Sequence, residues 1–137
     1  MPYADRLREL FPTLELEVAD LFALEAHQIA ELSARAPARE LAEVLWAHPE
    51  TRVSLEVRCP AIGEYLARLL TEHAPADAAD IRRSEQTLLW EIADWIVYDT
   101  APELYDVSAI HDWDFDLVAD MVELDGRSVI DAGAGSG

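Results

Sequence analysis

A short run near the end of the sequence combines an apolar stretch, a carboxylate and glycines at alternate positions. It reads Val129-Ile130-Asp131-Ala132-Gly133-Ala134-Gly135-Ser136-Gly137. The apolar residues are typical of a buried strand, and ligands of open α/β sheets bind at the carboxyl ends of such strands. Glycines lack a Cβ atom, so they allow a tight turn and let a ligand lie against the backbone. A helix usually follows such a loop and presents its N-terminal amides to negative groups. The run therefore predicts a ligand site in which Asp131 accepts hydrogen bonds from a cationic or hydroxylated ligand.

This run resembles motif I of the class I S-adenosylmethionine-dependent methyltransferases, in which an acid precedes alternating glycines. The preceding helix and the turn Leu124-Asp125-Gly126-Arg127 are similar to the usual approach to the first strand of that fold. The resemblance implies that the cofactor is S-adenosyl-L-methionine and that its methyl group passes to an acceptor, which we expect to be a small molecule. The cofactor-binding residues that it implies are Asp131, Ala132, Gly133, Gly135 and Gly137. It nominates no catalytic residue, because in this family those usually lie beyond the first strand.

The predicted fold class is mainly α, with two parts. Residues 1–110 form a helical N-terminal bundle, and residues 111–137 form the first helix, strand and glycine loop of a Rossmann-like domain. A parallel strand needs neighbouring strands and covering helices, and none follow Gly137. The acid expected about 20 residues after the loop, at the ribose hydroxyls, would also lie beyond that residue. We therefore expect this chain to be the N-terminal part of a methyltransferase and to be inactive alone.

Three other interpretations of the glycine run and of the whole chain stay open. A nicotinamide or flavin Rossmann loop needs its third glycine three residues after the second, whereas Gly137 follows Gly135 by two. A second interpretation gives the loop only a structural role. Alternatively, the chain is a non-catalytic helical module that binds a protein partner through its acidic surface. The coding sequence after Gly137 distinguishes the module from the enzyme.

Two sets of residues have part of a metal-ligand pattern, and neither predicts a metal site. Asp112, Asp114, Asp116 and Glu123 have the ligand spacing of a calcium loop, but Leu117 occupies the position that needs glycine for the sharp turn. These aspartates fit better as caps of a short helix that begins at Asp114. The four histidines include no pair at i and i+4 and flank no cysteine pair, which disfavours zinc.

The charge balance excludes some partners. The chain has 28 acidic and 10 basic residues, a net charge of −18, and no lysine. Such a surface disfavours nucleic acid and anionic membranes, both of which attract clustered positive charge. No signal peptide or spanning run is visible, so we expect a cytoplasmic protein. The single cysteine, Cys59, is interpreted as a small core residue.

Apolar spacing predicts a series of helices ahead of the glycine run. They are a short helix at Asp5–Leu10, a long one capped by Thr13, one after Pro37, one over Ala61–Glu72, and the strongest from Asp80 to Thr100. The apolar stripe predicted along the long helix is Val18, Leu21, Phe22, Ala26, Ile29 and Leu32. Between Thr51 and Cys59 apolar and polar residues alternate, which favours a strand, but the flanking helices lead us to predict a helix.

The aromatic residues give a weaker indication. Trp95 falls on an apolar helix stripe and is predicted to be core, and Trp90 is assigned to packing rather than to a substrate cavity. Tyr98, Tyr105 and Trp113 precede the glycine loop, where a contact with cofactor or substrate is one interpretation. Residues after Gly126 are expected to be loosely held in the isolated chain or ordered by pairing in a homo-oligomer.

Overall fold

A computed structural model of the chain describes residues 3–105, and every regular element in that range is helical. The α-helices are α1 (Tyr3–Leu10), α2 (Ala26–Arg35), α3 (Ala38–Ala47), α4 (Pro49–Arg58), α5 (Gly63–Glu72) and α6 (Ala78–Thr100). Shorter 3₁₀ helices lie at Val18–Ala23, Pro60–Ile62 and Pro102–Tyr105. The prediction of a mainly α chain is confirmed for this range. The predicted Asp114 helix, the strand and the glycine loop lie outside the described residues.

The chain divides into two compact units, Met1–Ile96 and Val97–Gly137. The first unit contains the helical core. Within the second, the described residues are the last turn of α6 and the 3₁₀ helix at Pro102–Tyr105. Among residues 3–105, no helix is both long and apolar enough to cross a membrane.

The core of the first unit is made chiefly of leucine. Helix α3 packs against both α4 and α5, so it lies at the centre of the unit. Fully buried side chains come from five of the helices: Ile29, Leu32, Leu41, Val44, Leu55, Leu66 and Leu88. Cys59 is buried within the same cluster, which confirms its assignment as a core residue. Burial of about ten large aliphatic side chains, each stabilising by roughly 1.5–3 kcal/mol, is what holds these short helices together.

The prediction of one long helix after Thr13 is wrong, because the chain forms two separate helices in that region. A 3₁₀ helix ends at Ala23, Leu24 and Glu25 are extended, and α2 begins at Ala26. At the start of each helix, a side chain in the first turn caps the backbone amide three residues before it. Asp20 accepts from the Glu17 amide at 2.7 Å, and Gln28 accepts from the Glu25 amide at 2.8 Å. These caps satisfy amides that a helix start leaves unpaired. The break also turns Phe22 and Ala26 to the surface, so they are not part of the predicted buried stripe.

The ambiguous stretch after His48 is a helix, as predicted. Pro49 occupies the first helical position, where its missing N–H costs nothing. Thr51, Leu55 and Cys59 recur every four residues and are buried, whereas Val53 and Val57 face solvent. The apolar residues that alternate in the sequence therefore lie on two different sides of a helix, one buried and one exposed, and not on one face of a strand.

Helix α6 is covered on two opposite sides. Leu88, Ile92 and Trp95 point into the main core, as the 3.6-residue period predicts. Trp90 projects from the other side and is buried there, with the Arg8 guanidinium from the α1 segment 5.2 Å from its ring centre. Both tryptophans are packing residues, which confirms those two assignments. The helix ends at Thr100, ahead of Pro102, as predicted.

Candidate functional site

The residues predicted to bind the cofactor lie outside the part of the chain that the structure describes. Asp131, Ala132, Gly133, Gly135 and Gly137 all follow residue 105, and so do the acidic residues of the calcium-like spacing. Tyr98 is half-buried on the last turn of α6. The described residues contribute a different set of polar side chains, which connect the helices to one another.

A buried hydroxyl–carboxylate pair joins α3 to α6. The Ser84 hydroxyl, almost wholly buried, donates to the Glu43 carboxylate. Arg39, one turn before Glu43 on α3, lies 3.9 Å from the same carboxylate and donates to Glu40 at 2.8 Å. The hydrogen bond and the charge of Glu40 raise the pKa of the Arg39 guanidinium. This cluster thus holds two helices in register with each polar group partnered.

A second contact ties the α3–α4 junction to the same helix. His48 ends α3 and precedes α4, and its Nε2 lies 2.7 Å from Oε1 of Glu85 on α6. Its other ring nitrogen, Nδ1, lies 3.5 Å from Glu50 in the first turn of α4. Ser84 and Glu85 are neighbours in sequence, so two adjacent residues of α6 hold it to α3 and to the junction between α3 and α4.

These polar contacts join helices to one another. Ser84 donates to a carboxylate that also faces Arg39, so its hydroxyl takes part in helix packing. Among residues 3–105, no three histidine, cysteine, aspartate or glutamate side chains are grouped to hold a metal. The cluster accounts for the orientation of α6, and we assign it no reaction.

Arg58 performs a similar task for the 3₁₀ helix before α2. Its guanidinium, at the end of α4, donates to the backbone carbonyls of Phe22 and Leu24 through Nη1, at 2.8 and 2.6 Å. Nη2 donates to the Leu21 carbonyl at 3.0 Å. A planar fork with several donors can bind several carbonyls at once. The carbonyls of Phe22 and Leu24 lie at the end of the 3₁₀ helix, where helical partners run out, and the Leu21 carbonyl also accepts the Leu24 amide at 3.3 Å.

Arginine also lies over aromatic rings at three places. The distances from guanidinium carbon to ring centre are 5.2 Å for Arg8 and Trp90, 4.6 Å for Arg35 and Trp95, and 5.7 Å for Arg68 and Tyr65. Cations are attracted to the negative face of an aromatic ring at such distances. Burial raises the pKa of the Tyr65 hydroxyl, and the charge of Arg68 opposes that shift. The protein therefore uses arginine repeatedly to cover aromatic surface.

Trp46 is the exception among the described tryptophans. It lies on the last turn of α3 with 42% of its surface exposed. Its indole Nε1 donates to the backbone carbonyl of His73, just after α5, at 2.7 Å. The ring is therefore held in one orientation while part of its face meets solvent.

No protein-family model matches this sequence, and comparisons with curated proteins and with solved structures found no similar one. The functional argument for this chain therefore comes from its own residues.

Sequence reasoning missed each of these contacts. Glu43 and Ser84 are 41 positions apart, and His48 and Glu85 are 37 apart. No local pattern links residues at such separations, because their approach depends on how α3 and α6 pack. One partial signal was present, since serine and glutamate on the inward side of a helix require a partner.

Proposed function

We propose that this chain is the N-terminal part of an S-adenosylmethionine-dependent methyltransferase that acts on a small-molecule acceptor. The observation that carries the proposal is the run from Val129 to Gly137, an apolar strand signature followed by an acid and three alternating glycines. When bound, S-adenosylmethionine supplies a methyl group attached to a positively charged sulfur.

The residues of the run have distinct parts in this proposal. Asp131 accepts hydrogen bonds from polar groups of the cofactor at the end of the strand. Gly133, Gly135 and Gly137 let the cofactor lie against the backbone, since a Cβ atom at those positions would occupy its space. These assignments come from the resemblance and from the absence of side chains at three alternating positions.

In this proposal the helical unit has a packing role. The Ser84 hydroxyl donates to Glu43 and His48 contacts Glu85, and both pairs join one helix to another part of the unit. The cofactor chemistry is assigned to residues after 110, on the resemblance alone.

The choice of acceptor follows from charge. Nucleic acid binding depends on displacing counterions with clustered lysine and arginine, and this chain has a net charge of −18. A small-molecule acceptor fits this charge better, because it needs only to reach the methyl group and does not depend on a broad basic surface. Catalysis of such a transfer depends largely on aligning donor and acceptor.

Calorimetric titration of the complete gene product with S-adenosylmethionine tests the proposal. We expect binding in the parent protein and at least about a hundredfold weaker binding for Gly135→Val, because the valine side chain fills cofactor space. The matched control is Gly63→Ala in the helical unit, where an added Cβ meets nothing within 4 Å. It should leave affinity unchanged.

Replacing the acid gives a second measurement on the same protein. Asp131→Ala removes a charged acceptor, and we expect binding to weaken about tenfold or more, since hydrogen bonds to charged groups contribute about 1.5–3 kcal/mol. A complete protein that binds no S-adenosylmethionine, or binds it equally with Gly135→Val, contradicts the proposal.

The 137-residue chain provides a third comparison. One strand and one loop supply only part of a pocket, and affinity needs groups converging from several strands. We expect this chain alone to bind S-adenosylmethionine far more weakly than the complete protein and to transfer no methyl group. Low-micromolar binding by the 137-residue chain would show that the pocket needs nothing further.

A further inference from the structure

The exposed indole of Trp46 is oriented by the protein before any partner arrives. Its Nε1 is already satisfied by the His73 carbonyl at 2.7 Å, so the part it offers is the ring face. Its exposed fraction of 42% is high for tryptophan, which is highly buried on average. A preoriented aromatic ring loses little conformational entropy on binding, which is why tryptophan is common among residues that dominate interfaces.

The other tryptophans that the structure describes show what this protein places on such a ring. Arg8 lies over Trp90, and Arg35 lies over Trp95 at 4.6 Å. Among the arginines of residues 7–104, whose side chains the structure describes, none has its guanidinium over Trp46. The ring face of Trp46 is therefore open at the position where Trp90 and Trp95 each contact an arginine of the same chain.

The surroundings of Trp46 favour positive charge. The His73 carbonyl that it contacts comes directly after α5, and the last turn of α5 contains Glu72 and no basic residue. The carbonyl end of a helix carries a partial negative charge, which stabilises nearby cations. The whole chain adds a net charge of −18, so a cationic partner is also attracted at long range.

We propose that Trp46 and the carbonyl end of α5 form a docking site for an arginine side chain on a basic segment of a partner protein. Arginine is preferred to lysine because its planar guanidinium is weakly hydrated and stacks on aromatic faces. Nucleic acid and anionic lipid are repelled by the same charge that attracts this segment. The site lies in the helical unit and is independent of the proposed methyl transfer.

The test uses the 137-residue chain and a short blocked peptide of alternating arginine and glycine. Titration is followed by the NMR signal of the Trp46 indole N–H, assigned by its loss in Trp46→Phe. We expect a saturable shift of that signal, together with binding measured by calorimetry. A peptide with citrulline in place of arginine has the same shape without the charge and should cause no shift. A lysine peptide should bind more weakly than the arginine peptide.

Variants distinguish the contribution of the Trp46 ring to peptide binding from that of the overall negative charge. Trp46→Leu removes the π face and should weaken arginine-peptide binding about fivefold, the change expected for one exposed cation–π contact. The matched control is Phe22→Leu, which alters another exposed aromatic residue and should leave binding unchanged.

Three results would overturn the proposal. The first is an unmoved Trp46 indole signal while the peptide binds elsewhere on the acidic surface. The second is equal affinity for the arginine and lysine peptides, and the third is equal affinity for the parent chain and a folded Trp46→Leu variant. If Trp46→Leu does not fold, the proposal is tested on the parent chain alone. The comparison of the arginine, lysine and citrulline peptides needs no substitution.

Discussion

At the scale of single residues, the arginines do more than solubilise the surface. Arg58 donates to four backbone carbonyls, one of them on its own helix, and Arg8, Arg35 and Arg68 lie over aromatic rings. A guanidinium has five donors in a plane and a weak hydration shell, so it can satisfy carbonyls and cover apolar rings where an ammonium cannot. These contacts give a physical use for arginine in a chain that contains no lysine.

Arg58→Gln should therefore lower the free energy of unfolding by about 2 kcal/mol, because carbonyls near the 3₁₀ helix lose charged donors. Arg58→Lys should restore only part of this, since one ammonium cannot reach all of the carbonyls that the guanidinium binds. The matched control is Arg52→Gln on the same helix, where a half-buried i, i+4 pair with Glu56 contributes about 0.5 kcal/mol or less. Urea denaturation monitored by circular dichroism measures all three variants, and equal losses for Arg58→Gln and Arg52→Gln would contradict the assigned role.

At the scale of elements, α4 shows how a helix can be concealed by an alternating sequence. Its valines occupy the exposed face, while Leu55 lies fully buried between Thr51 and Cys59. Val53 and Val57 do not contribute to the core. Their β-branched side chains favour a strand locally, but that preference does not determine the structure of the segment. Packing of Leu55 outweighs that local preference.

Truncating side chains on the two faces of α4 checks this assignment. Leu55→Ala should cost about 2–5 kcal/mol, the range for removing a buried leucine side chain. Val57→Ala should change the free energy of unfolding by less than about 0.5 kcal/mol, as is usual at exposed sites. Comparable costs at both positions would fit a strand packed on two sides and would argue against the helix.

The junction before α5 offers a stabilising substitution. Gly63 is the first residue of α5 and already has helical backbone angles, φ −55° and ψ −45°. An added Cβ has open space there, and alanine loses less backbone entropy on folding than glycine. Gly63→Ala should raise the free energy of unfolding by about 0.4–1 kcal/mol. A thermal midpoint below that of the parent chain would show a contact that the geometry does not reveal.

At the scale of the whole molecule, the excess of acidic residues opposes compaction. With 28 acidic and 10 basic residues, folding brings many like charges together. Salt shortens the range of this repulsion, from a Debye length of about 30 Å at 0.01 M to about 8 Å at 0.15 M. The local contacts of Arg58 and the leucine core are short-ranged and depend less on salt.

We therefore expect the midpoint of urea denaturation to rise with sodium chloride over that range, with no change in the slope of the transition. A neutral osmolyte at matched osmolarity serves as the control for effects unrelated to charge. A midpoint that falls with added salt would mean that ion pairs such as Arg52–Glu56 outweigh the repulsion.

Local patterns in the sequence were enough for most of the helices. The period of Leu88, Ile92 and Trp95 predicted α6, and Pro102 predicted its end, because side-chain spacing and proline geometry act within a few residues. The glycine run likewise predicts a cofactor loop from local chemistry alone, and that prediction concerns residues beyond 105. Only the tertiary structure decided that the second predicted helix breaks at Leu24, that Phe22 faces solvent, and that Ser84 meets Glu43 across 41 residues. Those outcomes depend on which helix surfaces pack together, and that choice is made by the whole leucine core, not by neighbours along the chain.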